Sequence, residues 1–343
     1  MFETILCATF SGTKDILYRN MHLPYETCTP KQKKVFLLGS GWFSKGFIEN
    51  IDLQRFKITN ISNKPYEPTD VPFCCPKIKF PCYSNDIETI EETVLDINLE
   101  TNTIATTNDT YDFSDNYLVC GLGSNRTQSI WNKQIEQLFN HVPDKINIIG
   151  AGITGTELAF VLSDIGYKVT LFDTIDPYSL MFEQIRICIE QRQRDTLIKL
   201  HKNTPFMKDD KCDIEQNVFN AVNVNQNKLT FDWSADKYLN VSKLIKRKDG
   251  STYTNLFTKV FIGGDCIKVG NSTMHLSRTA QDAYEQGKYV AQTLNEQTRE
   301  PYVQTAKFRT LYVGDNKTML YHDTINMFIL VPTSIVEWYH SLW

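Results

Sequence analysis

Several kinds of stretch are missing from this chain of 343 residues, and each absence removes a class of function. No run of 18 or more apolar residues occurs, so no helix is expected to span a bilayer. Net charge is −4 and no basic run or patch is present, so nothing supplies the phosphate-neutralising contacts that a nucleic-acid partner requires. The 6 histidines form neither HExxH nor a pair at ligand spacing, and no metal site is expected. The 9 cysteines are odd in number and include no CxxC pair, which suits free thiols in a reducing compartment better than a disulfide framework. Nothing reads as a secretory signal, and Glu3, Asp15 and Glu26 make Met1 to Lys34 a poor match to an acid-free presequence. What is present is ordinary for a globular protein: 41% hydrophobic, 22% charged, and enough chain for two domains or one large one.

The rest of the chain is organised around Lys145 to Asp173. Four apolar residues, Ile146 to Ile149, lead into Gly150-Ala151-Gly152-Ile153-Thr154-Gly155. A helical pattern follows with Leu158, Val161, Leu162 and Ile165 on one face; Gly166 ends it, and Lys168 to Phe172 reads as a second strand closed by Asp173. Strand, glycine turn, helix, strand and acid arrive in the order and spacing of a dinucleotide-binding βαβ unit. Gly150 allows the tight turn, Gly152 admits a pyrophosphate, and Gly155 lets helix and strand pack closely, with the phosphates on the helix N-terminus. Asp173 is placed for an adenosine ribose and repels a 2′-phosphate, which favours NAD(H) over NADP(H).

A second opening of the same kind begins earlier. Val35 to Leu38 runs into Gly39-Ser40-Gly41-Trp42-Phe43-Ser44, Phe43, Phe47, Ile48 and Ile51 continue at helical spacing, and Lys57 to Ile61 makes a strand ending at Ser62. Gly39 to Ser62 and Gly150 to Asp173 both span 23 positions, the mark of an internal repeat. The first copy has Ser44 at the third glycine position and Ser62 at the acid position, so alone it is the weaker site. Residues 63–81 are a Pro/Cys-rich loop by composition. Cys74, Cys75 and Cys82 invite a redox reading there, although adjacent cysteines form only a strained bridge and ordinary loop thiols are the simpler account. Thr93 to Leu99 and Thr103 to Thr107 alternate as meander strands, and Tyr117 to Cys120 is a strand entering Gly121-Leu122-Gly123-Ser124, either a buried strand with its turn or a return against the first nucleotide.

Between Asp173 and Gly250 no glycine occurs and the pattern loosens. Ile185 to Leu200 has a helical rhythm, Val218 to Val224 and Lys228 to Phe231 suggest strands, and Lys246 to Gly250 reads as a hairpin turn with solvated charges. Lys259 to Ile262 is then a strand ending in Gly263-Gly264-Asp265-Cys266. A helix over Thr279 to Ala291 carries Ala280, Ala283, Gly287, Val290 and Leu294 on one face, small enough for another backbone or a flat ring; the glycine–aspartate turn before it favours a cofactor. Within 327–343, Ile335, Trp338, Tyr339, Leu342 and Trp343 share a helical face opposite Glu337, His340 and Ser341, with Pro332 at the start. Such a face suits a lipid interface, with the protein core or a second subunit in a homodimer as alternatives.

Taken in order, these motifs resemble the two-dinucleotide-binding-domain flavoproteins, and within them the type II (alternative) NADH:quinone oxidoreductases. GSGW at Gly39 to Trp42, GAGITGTELA at Gly150 to Ala159, IGGDC at Ile262 to Cys266 and the AQxAxxQGxY pattern at Ala280 to Tyr289 carry the resemblance. It implies an α/β fold of two Rossmann-like dinucleotide-binding domains, the second inserted in the first: an extension at 1–33, an FAD domain at 34–120 and 250–325, an NADH domain at 121–249, and a membrane-interface helix at 326–343. It further implies that Gly39, Ser40, Gly41, Trp42, Ser62, Gly123, Gly264, Asp265, Ala280 and Gln281 hold FAD, and that Gly150, Gly152, Gly155, Glu157 and Asp173 hold NADH. Glu157, Gln281 and Gln286 take the catalytic positions, Gln286 on the quinone side, while Cys266 is structural. The implied reaction passes a hydride from NADH to flavin and two electrons to a membrane quinone without proton pumping. The implied place is an intracellular peripheral-membrane one, on the inner mitochondrial or cytoplasmic membrane.

Departures from the family pattern are Ser44, Ser62, the Pro/Cys loop, Asn116 near a usual aspartate position, and a chain several dozen residues shorter than most relatives. They put flavin affinity in question. Three rivals stay open: a sulfide:quinone or thiol-disulfide reductase using Cys74, Cys75 or Cys82, a soluble NADH reductase with another acceptor, and a nucleotide-sensing protein without turnover.

Overall fold

The computed structural model describes residues 32–63, 87–123, 145–179, 181–204, 218–221, 227–230, 232–246, 251–266, 280–298, 300–304, 308–322 and 325–336. In chain order, β1 (Lys33–Leu38), α1 (Trp42–Ile48), β2 (Phe56–Ser62) and β3 (Glu88–Glu91) are followed by a small antiparallel meander. Its strands are β4 (Val94–Asn98), β5 (Thr103–Thr106) and β6 (Thr110–Asp112), and the chain then returns as β7 (Tyr117–Cys120). Next come β8 (Lys145–Ile149), α2 (Ile153–Asp164), β9 (Lys168–Phe172), α3 (Glu183–Arg194), β10 (Ile198–His201) and β11 (Val218–Asn220). The chain closes with β12 (Trp233–Ala235), β13 (Asn240–Lys246), β14 (Thr252–Ile262), α4 (Ala280–Leu294), β15 (Phe308–Tyr312), β16 (Lys317–His322) and β17 (Phe328–Pro332).

Two sheets have the doubly wound form. The larger runs β12-β13-β14-β7-β1-β2-β3, with β14 through β3 parallel and β12 and β13 added antiparallel. The smaller runs β10-β9-β8-β11, all parallel. Val35 to Leu38 is buried throughout, as expected of a central parallel strand covered on both faces. In each sheet the glycine turn leaves the strand (β1 or β8) whose neighbours lie on opposite sides, the switch point where such folds bind ligands.

The internal repeat extends to the backbone. Gly39 N–H donates to the Ile61 carbonyl at 2.9 Å, and Gly150 N–H to the Phe172 carbonyl at 2.8 Å. The two glycines have φ of 92° and 95°, in the left-handed region that a side chain disfavours. Gly41 and Gly152 each accept the first helical bond, from Lys45 and Thr156.

Elsewhere the structure corrects the sequence reading. The helical rhythm over Ile185 to Leu200 covers two elements, because α3 ends at Arg194 and Ile198–His201 pairs with β9 as a strand. Lys228–Thr230 is a single 3₁₀ turn rather than a strand. On α2 the buried set is Leu158, Ala159, Phe160 and Leu162, while Ile165 is exposed. This helix lies between its own sheet and β15, so no single apolar stripe describes it.

Domain limits shift as well. β12 and β13, inside the span expected for the NADH domain, belong to the first sheet, since β13 pairs with β14 along its length. Strands β15, β16 and β17 leave the first domain and form a third, antiparallel sheet. Leu311, Tyr312, Val313, Met319 and Tyr321 pack there into one core with Leu158, Phe160 and Leu171 of the second unit. The helix expected over 326–343 is replaced at its start by β17, which pairs with β16 along one edge; among the described residues helical backbone there covers 333–336, and 337–343 lie outside them. No helix among the described residues is long and apolar enough to cross a membrane.

Candidate nucleotide sites

Strand pairing brings three turns to one end of the first sheet. Leu38, Cys120 and Ile262 are register partners across β1, β7 and β14, so the glycines that follow them are neighbours. Gly121 N–H donates to the Leu38 carbonyl at 2.9 Å, and Gly263 N–H to the Cys120 carbonyl at 3.0 Å. The buried ring of Phe43 sits beneath two of the turns: a Cβ on Gly263 would overlap it, and a Cβ on Gly121 would lie 2.5 Å from its Cδ1. Helix α4 closes the arrangement from the other side. A Cβ on Gly287 would overlap the Phe43 carbonyl oxygen, and one on Gly46 the Tyr284 carbonyl oxygen, so α1 and α4 cross backbone to backbone. The small-residue face of α4 is therefore met at Gly287 by a helix rather than by a flat ring.

The first site thus brings together Gly39, Ser40, Gly41, Trp42, Ser62, Gly123, Gly264, Asp265 and the start of α4 at Ala280 and Gln281. Ser40 and Ser62 are hydrogen-bonded through their hydroxyls at 3.0 Å, which puts a neutral pair at the ribose end. Ser44 is accommodated because its Oγ donates to the Gly39 carbonyl at 2.9 Å. Asn60 Nδ2 donates to the same carbonyl at 2.7 Å and to that of Leu37 at 3.1 Å, fixing the turn from the neighbouring strand. Neither Phe43 nor Asn60 was singled out as a site residue from the sequence; an Asn just before the last apolar residue of the strand, Ile61, was the available signal.

Gln286 is 2% exposed, and its Oε1 accepts from Gly264 N–H at 2.7 Å, so it holds the glycine–aspartate turn. Cys266 is buried, its Sγ donating to the Gly263 carbonyl at 2.9 Å. The hydrogen bond with Cys266, together with burial, holds the Cys120 thiol protonated well above its usual pKa, and a thiol so held is a poor nucleophile. Cys74, Cys75 and Cys82 lie outside the described residues.

The second site gathers Gly150, Gly152, Gly155, Glu157 and Asp173. Asp173 Oδ2 accepts from Ala151 N–H at 2.8 Å and Oδ1 from Ile175 N–H at 3.2 Å, so the carboxylate stands at the rim of the glycine turn. A Cβ on Gly155 would overlap the Gly150 carbonyl oxygen, whereas Gly152 has open space on that side. Glu157 is buried and its Oε1 accepts from Tyr312 N–H at 3.1 Å; burial raises its pKa from the ordinary 4.5 to about 7 against the lowering effect of that bond. Among the described residues no cluster of His, Cys, Asp and Glu is set to hold a metal ion.

Both sites fit a dinucleotide on observations of the chain itself. Neither helix carries a side-chain cap at its N-terminus, and the capping residues Gly41 and Gly152 leave an unfilled cradle where a Cβ would stand. Pyrophosphate binds where no side chain caps the helix and the backbone can be approached closely, and both conditions are met.

No curated protein sequence matches the chain. Among solved structures it is similar to NDH2 from Plasmodium falciparum, with 14% identity and a TM-score of 0.68 over 91% of this chain and 96% of that one. It is also similar to an NAD-dependent persulfide reductase from A. fulgidus (16% identity, TM-score 0.63, 84% of this chain and 63% of that one). The water-forming NADH oxidase of Lactobacillus brevis is a further likeness, at 18% identity and TM-score 0.57 over 84% of this chain and 75% of that one. These likenesses concern the fold. The family model for pyridine nucleotide-disulphide oxidoreductases matches residues 83–287, more than half the sequence; the span holds the whole second glycine unit and the Gly264–Asp265 turn of the first site. The chain therefore belongs to the pyridine nucleotide-disulphide oxidoreductase family, as a two-dinucleotide-binding flavoprotein whose cofactors are FAD and NADH.

Proposed function

We propose that this flavoprotein is an NADH:quinone oxidoreductase working at a membrane surface without proton pumping. The observation that carries the reading is the apolar outer face of the third sheet. Phe308 and Ile329 are 57% and 56% exposed on one face of it, and Met327 beside them is 59% exposed. Exposed apolar side chains on one face of a sheet favour an apolar partner over water. The sequence continues from this sheet into Ile335, Trp338, Tyr339, Leu342 and Trp343, residue types suited to a lipid interface. The near end-to-end correspondence with NDH2 supports the same reading.

In this reading Gly39, Gly41 and Gly264 accept the FAD pyrophosphate, Gly150, Gly152 and Gly155 that of NADH, and Asp173 the adenosine ribose. Bound FAD would supply two-electron chemistry between NADH and the acceptor. The chain's part is alignment and exclusion of water. Gln286 fixes the turn that carries Gly264 and Asp265, and Gln281 lies on the adjoining first turn of α4.

The test is direct. Purified protein should be yellow, bleach with NADH under anaerobic conditions, recover colour with a short-chain ubiquinone, and float with lipid vesicles. Recovery with a disulfide or persulfide, lost on replacing Cys74, Cys75 or Cys82 with serine, would replace quinone by a sulfur acceptor. A colourless preparation carrying one nucleotide would end the reading.

A further inference from the structure

Strand β15 touches both nucleotide-binding halves. Arg309 Nη1 donates to Asp282 Oδ2 at 2.7 Å, and the pair is sealed, with Asp282 0% and Arg309 8% exposed. Asp282 is the third residue of α4, in the turn that opens beside Gly264. Three residues further along β15, Tyr312 N–H donates to Glu157 in the first half of α2. The Tyr312 hydroxyl bonds to Asp164 at the far end of that helix. Arg192 of α3 closes on the turn after β15, with Nε to the Val313 carbonyl at 3.2 Å, Nη2 to the Gly314 carbonyl at 3.1 Å, and Nη2 to Asp315 Oδ2 at 2.8 Å. One strand is thus clasped to the NADH half by several bonds and joined to the flavin half by a buried ion pair.

We propose that β15 is a spacer that sets the separation of α4 and α2, with Arg309 and Asp282 as positioning residues for the approach of nicotinamide to flavin. Its two anchor points are about 10 Å apart at an extended rise of about 3.3 Å per residue. The proposal rests on the assignment of α4 to the flavin side and α2 to the nicotinamide side. Hydride transfer requires reacting atoms about 3–3.5 Å apart, and a displacement of about 1 Å slows such steps on the order of a hundredfold. An apolar contact at this point would stabilise equally well and slide freely. A charge-assisted hydrogen bond fixes direction as well as distance.

Exchanging both members of a buried ion pair for apolar residues commonly leaves stability intact, so the informative variant is Asp282→Leu with Arg309→Leu. It should retain FAD, NADH affinity and melting temperature. The anaerobic rate of flavin bleaching by NADH should fall at least about tenfold, and the long-wavelength absorbance of the stacked nicotinamide–flavin pair should weaken. Amide exchange at Tyr312 and in the first turn of α4, measured on the full chain without cofactor, should accelerate. The single variant Arg309→Lys, which keeps the charge, should recover most of the rate. Wild-type exchange and bleaching in the double variant would overturn the spacer. So would early melting or loss of FAD, since the pair would then be a stability element. A wild-type protein that never bleaches would overturn the cofactor assignment instead, and the exchange comparison would still decide the spacer.

Discussion

Glycine serves the chain at Gly155 and the ligand at Gly152, and alanine at the two positions separates those roles. At Gly155 a methyl group has no space beside the Gly150 carbonyl, so Gly155→Ala should lower stability by about 1–3 kcal/mol and weaken NADH binding with it. At Gly152 the methyl group would stand in open space, so Gly152→Ala should melt within about 1 kcal/mol of wild type yet bind NADH at least about tenfold more weakly. Thermal melts with NADH titration distinguish the two. Glu157 gives a second prediction at this scale. Its folded pKa of about 7 exceeds the ordinary 4.5, so between those values the folded chain holds a proton that the unfolded chain has released. Stability from this group is present at low pH and declines as pH rises through that window. Glu157→Gln keeps an acceptor for Tyr312 N–H and carries no charge. Its stability should gain on wild type between about pH 5 and pH 8, by up to about 3 kcal/mol, read from thermal melts across that range. A difference that does not vary with pH would refute the burial of this carboxyl. The glycines and Asp173 were legible because a motif needs them at fixed spacing. The buried, Tyr312-bound state of Glu157 was not, because its partner lies 155 positions away.

At the scale of elements, α1 and α4 illustrate volume traded between distant segments. Phe43 occupies room that Gly121 and Gly263 leave, and Gly46 and Gly287 let the two helices cross. Gly263→Ala should therefore reduce FAD content and lower stability by about 1–3 kcal/mol, because a packed ring must move. Adding Phe43→Ala should return part of the FAD content, although the shortened side chain leaves a cavity of its own. Absorbance of bound flavin in the single and double variants checks this. The elements around both glycine turns were readable from periodicity and turn residues. Those of 183–201 and 228–230 were not: apolar positions two or three apart suit a short strand, a turn or a helix end alike, and sheet pairing decided among them.

For the whole molecule, the decisive feature is the third sheet. It puts Leu311, Met319 and Tyr321 into the core of the NADH half and leaves Phe308, Met327 and Ile329 facing outward. Arg192→Ala should loosen the clasp on the β15–β16 turn and expose that turn to proteolysis while leaving the first sheet folded, a difference readable by limited digestion. The sequence by itself determined the two nucleotide units, their equal span and their order, since a tight turn, a close helix and a ribose-binding acid are local demands met by residue type. Only the tertiary structure decided that β12 and β13 join the first sheet, that β15 bridges the halves, and that Gln286 supports a turn. Those outcomes depend on which surfaces of distant segments bury each other, and no local periodicity encodes that choice.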